Sequence, residues 1–144
     1  ATFLTATSSE GVTLAGTLAV TGVHTVGTNA VATSDGGAVT TSVVQGLTKS
    51  WCKFNGTSTL AINDSFNIST VSDVGTGNYS PTFTNNMSSE HFSAHATKRN
   101  ESTNTGAQVQ IPQYATNLNN IQMHESDSTA DSSAVSYSVK GDLA

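Results

Sequence analysis

The sequence predicts an all-β fold, an antiparallel β-sandwich preceded by a Gly/Thr-rich β arm. Three observations predict it. First, 20 Ser, 23 Thr, 12 Asn and 12 Gly supply nearly half of the 144 residues; Thr suits a pleated strand through its β-branch, while Gly, Asn and Ser supply turns. Second, the straight-chain residues Lys, Glu, Gln, Arg and Leu, which normally fill helix surfaces, are sparse, so long helices are not expected. Third, short apolar runs alternate between turn residues at the spacing of a sandwich.

Residues 1–45 form the predicted arm. Glycines at 11, 16, 22 and 27 separate short runs whose apolar members are Val12, Leu14, Leu18, Val20, Val23, Val26 and Val31. These runs are too thin to build a private core, as in stacked or intertwined β structure. Ser34-Asp35-Gly36-Gly37 reads as a turn, and Ala38 to Leu47 as a further strand-like run. The sandwich is expected over 46–144. Within it, Trp51 and Phe54 read as core, with Asn55-Gly56 as a turn. Thr59 to Ile68 alternates, with Leu60, Ile62, Phe66 and Ile68 on one apolar face. Asp64 interrupts that face, so either a bulge lies there or the carboxylate is buried against amides. Gly75-Thr76-Gly77-Asn78 reads as a hairpin turn leading into Tyr79 to Phe83, with Phe83 as another core residue. Further strands are expected at 90–97, 107–112, 120–124 and 134–140, with 98–106 a loop.

Charged residues are 10% of the chain and hydrophobic ones 35%, both below the usual range. A lone chain so composed is short of apolar burial, and association between chains would repair the deficit. The net charge is −5, and the five basic residues, Lys49, Lys53, Lys98, Arg99 and Lys140, form no stripe that could follow a phosphate backbone. Nucleic acid is therefore not an expected partner. No basic region leads into an apolar run at the start; an Ala1 start is what removal of an initiator Met leaves behind, and a cleaved leader would leave the same. No apolar stretch approaches the roughly 20 residues of a membrane span. Cys52 is the only cysteine and can form no internal disulfide, which fits a reducing compartment; it is expected to act as a small buried hydrophobe.

Catalytic signatures are missing from the sequence. There is no Gly-x-Ser-x-Gly elbow, phosphate-binding Gly-Lys-Ser/Thr loop or Cys-x-x-Cys pair, and the acidic residues stand in polar surroundings that would not raise a carboxyl pKa. His91 and His95 would lie about 13 Å apart on one strand face, too far for one ion. His24 is a different case, because a three-fold axis through the arm would bring three copies together; an exposed side chain is the plainer reading. No cofactor and no metal are expected. Six Asn-x-Ser/Thr triplets begin at Asn55, Asn63, Asn67, Asn78, Asn86 and Asn100. Composition alone would produce about four such triplets, so they say little about glycosylation.

Three segments carry a family resemblance: Lys49-Ser50-Trp51-Cys52-Lys53-Phe54-Asn55-Gly56-Thr57, Asp64-Ser65-Phe66-Asn67-Ile68-Ser69 and Asp73-Val74-Gly75-Thr76-Gly77-Asn78-Tyr79. Together, over about residues 46–96, they resemble a module of tail-fibre and other virion structural proteins of bacteriophages, particularly marine ones. The resemblance implies a non-enzymatic virion surface protein made in the host cytoplasm, of the fibre type and homotrimeric, with other virion proteins as partners. On that reading the exposed loops at 73–78, 98–106 and 112–120 would meet a host-surface glycan or protein, through Asn78, Tyr79, Asn100, Asn104, Tyr114 and Asn117. The alternative is a capsid decoration protein clamping the shell with its arm, since 144 residues leave little room for a long shaft and an anchoring domain. As a core residue, a fully buried Trp51 would cost about 3–5 kcal/mol on truncation to alanine.

Overall fold

A computed structural model describes residues 17, 19–23, 31–33, 40–99, 108–125 and 127–144. His24, Asn100 and Asn104, and with them most of the predicted arm, lie outside the described residues. The chain runs β1 (Val31–Thr33), β2 (Thr40–Ser42), a helical turn α1 (Val43–Gly46), β3 (Thr48–Asn55), β4 (Ala61–Phe66), β5 (Ile68–Gly75), β6 (Asn78–Phe83), β7 (Ser93–Lys98), β8 (Gln108–Tyr114), β9 (Asn119–Glu125), β10 (Ser128–Thr129) and β11 (Val135–Lys140). The fold is all-β, with every strand pairing antiparallel. β1 and β2 make a two-stranded ladder of their own.

Two larger sheets enclose the core. One has the order β4-β3-β11-β7, and the other the order β5-β6-β9-β8. β8 pairs one edge of β9 over residues 119–124, so β6 and β10 share its other edge, at 121–122 and 124–125. Strand parity fills the space between the sheets. From the first sheet come Cys52, Phe54, Val135, Tyr137 and Val139; from the second come Val71, Tyr79, Phe83, Ile121 and Met123, with Met87 from a connection. Phe54 and Tyr79 meet across the middle edge to face, with centroids 5.1 Å apart.

The same parity corrects the expected core. Trp51 and Phe54 are three residues apart on one strand, so they face opposite sides, and Trp51 is half-buried on the outer face. The alternating face of 60–68 is also broken. Lys53 pairs Asp64 but Phe54 pairs Ile62, so Asn63 is skipped as a bulge and the phase reverses within β4. Phe66 is consequently 53% exposed and Ile62, on an edge strand, 38% exposed, while Leu60 and Ile68 pack partly buried against the core. Asp64 is exposed rather than buried, and its carboxylate accepts the amide of Ser65 at 2.8 Å.

Corners and turns follow from particular residues. Asn55 Oδ1 accepts the Thr57 amide at 2.9 Å, closing the expected turn after β3. Asn67 takes φ 55° between β4 and β5, a left-handed conformation that Asn tolerates, and its side chain ties the corner down. Its Nδ2 donates to the carbonyls of Lys49 and Asn85, and its Oδ1 accepts the Asn85 amide. Thr76-Gly77 closes the β5–β6 hairpin as expected.

Burial pushes the Cys52 thiol up from 9.0 to about 12, and pushes the phenols of Tyr79 and Tyr137 up as well. All three groups hold their protons more tightly folded than unfolded. Their contribution is complete below pH 9 and is lost as pH rises, because only the unfolded chain ionises there. We expect unfolding free energy, followed by urea titration, to fall between about pH 9 and 12 by up to about 1.4 kcal/mol per pH unit per group. A flat profile over that range would contradict the burial of these side chains.

Candidate functional site

Among the described residues, the predicted loop residues Asn78, Tyr79, Tyr114 and Asn117 are not gathered into one site. Asn78 opens β6 and is half-buried, whereas the backbone carbonyl of Asn117 accepts the amide of Phe83 at the far end of the same strand. Five residues of strand put about 17 Å between them. Tyr79 is fully buried, its hydroxyl donating to Asp131 Oδ1 at 2.8 Å with Gly56 O within 3.0 Å, so it supports the core instead of a ligand. Tyr114 is 37% exposed but rests its ring against Phe92, with centroids 5.3 Å apart.

A different site stands on the outer face of the first sheet. Register places Phe66, Trp51, Ser138 and His95 in one row across β4, β3, β11 and β7, and Asp64, Lys53, Ser136 and Thr97 in the next. Small residues in the central strand and larger ones on both neighbours produce a trough along β11. Its walls are two strand spacings apart, about 10 Å. The trough has a volume of about 390 Å³ and is lined by Trp51, Lys53, His95, Thr97, Ser136 and Ser138, with Cys52, Ala96 and Tyr137 beneath. That volume falls in the range of small-molecule sites, about 300–1,000 Å³. A second, smaller hollow, of about 220 Å³, lies by Ser89, His91, Phe92, Lys140, Gly141 and Asp142.

No protein-family model, curated protein or solved structure matches the chain. The chemistry of the trough therefore carries the argument. Trp51 offers part of an indole face, and Ser136 and Ser138 offer hydroxyls that can both donate and accept. His95 Nε2 lies 3.3 Å from Ser93 Oγ, both exposed on an open sheet. Exposed in this way, the pair has the geometry of surface hydrogen bonding. Among the described residues no three His, Cys, Asp or Glu side chains converge as metal ligands.

The basic residues divide by role. The Lys98 side chain is 2% exposed and pairs with Glu125 at 3.0 Å, which joins β7 to β9 across the two sheets. Lys49 is buried and donates to the carbonyl of Val44. Lys53 and Lys140, by contrast, are exposed on the face that carries Trp51. Sequence reading missed this site because it took Trp51 for core; counting three residues from Trp51 to Phe54 would have separated them. With the indole half-buried on the outer face, Trp51→Ala should cost about 2 kcal/mol in urea unfolding, short of the roughly 3–5 kcal/mol of a fully buried tryptophan. A loss near that of a fully buried tryptophan would return the ring to the core.

Proposed function

We propose that this chain is a non-enzymatic structural protein of a bacteriophage virion surface, of the fibre type, whose trough contacts a glycan or protein of the host surface. The observation that supports it best is the outward placement of Trp51 beside the 53% exposed Phe66, its register partner on the outer face of the first sheet. Its resemblance to virion modules over residues 46–96 points the same way. A homotrimer joined through the N-terminal segment belongs to this reading, since Val20, Val23 and Val31 are 46%, 95% and 58% exposed. Association would cover them.

The same valines favour a second reading, capsid decoration, in which the segment clamps shell subunits. Copy number separates the two. Quantified against the major capsid protein in virions that carry this chain, a fibre-type protein is expected at a few tens of copies or fewer, and hundreds would overturn that reading in favour of decoration. Native mass spectrometry at micromolar concentration should give a trimer mass, and a monomer would overturn the trimer.

A further inference from the structure

We propose that the trough along β11 binds an acidic saccharide, one sugar ring lying against the Trp51 indole and its carboxylate or sulfate group facing Lys53. The proposal rests on the reading of this face as the host-facing one, and it names the ligand class. Size fits a short saccharide: the trough holds about 390 Å³, within the roughly 300–1,000 Å³ of small-ligand sites. An indole face carries negative quadrupole charge and attracts the weakly positive C–H groups on one side of a sugar ring. Ser136 and Ser138, directly beneath, can exchange hydrogen bonds with ring hydroxyls of either polarity.

Charge complementarity selects the acidic class. The chain has ten acidic and five basic residues. Yet the outward-facing strand residues of this sheet include Lys53 and Lys140 and a single carboxylate, Asp64. Asp64 is the direct cross-strand partner of Lys53 on its β4 side, outside the trough lining, and its Oδ1 accepts the Ser65 amide. Lys98 and Lys49 are withdrawn into buried contacts, so two of the remaining three basic side chains are gathered on one sheet face of an acidic protein. A cationic sugar would meet Lys53 unfavourably. A neutral one would gain only the stack and the serine hydrogen bonds.

Trp51 is the only tryptophan, so intrinsic fluorescence reports on the trough itself. The experiment is titration of the full chain with an oligogalacturonate, a sulfated galactose oligosaccharide and a neutral galactose oligosaccharide, with calorimetry for variants that lack the indole. Saturable binding of at least one acidic probe is expected, at least about tenfold tighter than the neutral one and weakening with added salt. Lys53→Gln should lower the acidic affinity by about tenfold and the neutral affinity by much less, so that the preference for the acidic probe narrows. Trp51→Ala should abolish binding of both, and Trp51→Phe, which keeps a ring if the alanine variant folds poorly, should retain part of it. Equal affinity for acidic and neutral probes would overturn the acidic assignment. Absence of binding by all three, or binding that survives Trp51→Ala in a folded protein, would overturn the site. A virion copy number in the hundreds would overturn the fibre reading and leave these titrations standing, so the two failures are distinguishable.

Discussion

Tyr79→Ala is expected to lower the free energy of unfolding by about 4 kcal/mol, read as a shifted midpoint in urea with Trp51 fluorescence as the probe. The side chain is fully buried and touches both sheets. Its ring stands edge to face against Phe54, 66° from parallel, so truncation opens a cavity between two layers instead of at a margin. Its hydroxyl adds a second contribution. Asp131 Oδ1 accepts both that hydroxyl, at 2.8 Å, and the amide of Gly77, at 2.7 Å, so one carboxylate oxygen ties the start of β6 to the segment before β11. Tyr79→Phe keeps the ring and removes only this bond. It should cost about 1–2 kcal/mol, and the difference between the two variants measures the packing alone. If Tyr79→Phe leaves the midpoint unchanged, the hydroxyl contributes nothing and the tie is incidental.

The contrast between Tyr79 and Trp51 explains how much of this molecule is legible in its sequence. Strands over 93–98, 108–114, 119–125 and 135–140 are visible because residues such as Val109 and Ile111, or Val135, Tyr137 and Val139, keep strict period two between polar neighbours. The hairpin at Thr76-Gly77 is visible because few sequences other than Gly-rich ones fit so short a turn. Which large aromatic faces inward depends on phase. Tyr79 follows Gly-Asn and so resembles a loop residue, yet it is the second residue of β6 and shares its face with Phe83. Trp51 sits beside Cys52 and near Phe54 and so resembles core, yet its phase is opposite to theirs. The bulge at Asn63 shifts phase again, and only the pairing of β3 with β4 reveals it. The trough is less legible still. It requires Ser136 and Ser138 to lie between Trp51 and His95, residues more than forty positions away in the chain, and no local pattern announces that β11 inserts between β3 and β7.

Gly77→Ala should be nearly as damaging as the loss of Tyr79, at about 3 kcal/mol, for a reason that burial alone does not convey. Gly77 has φ +68°, where a side chain costs about 1–3 kcal/mol even in open space. Space here is not open. A Cβ would stand 2.6 Å from the Ala130 amide nitrogen and 2.7 Å from the Met123 carbonyl oxygen, both backbone atoms held in place by pairing. Neither can yield without breaking something, because the Ala130 amide donates to that same carbonyl at 3.0 Å, and the Met123 amide donates to Gly77 O at 2.7 Å. The extra methyl group would therefore pry the β5–β6 hairpin from β9, taking the Asp131 bond with it. Gly46 provides the comparison, since a Cβ there meets nothing within 4 Å and Gly46→Ala should leave the midpoint within about 0.5 kcal/mol of the parent. Two alanine variants of equal chemistry would then differ by a large fraction of the roughly 5–15 kcal/mol that holds a domain folded. Equal midpoints would show that the hairpin does not rest on β9 as closely as its hydrogen bonds require.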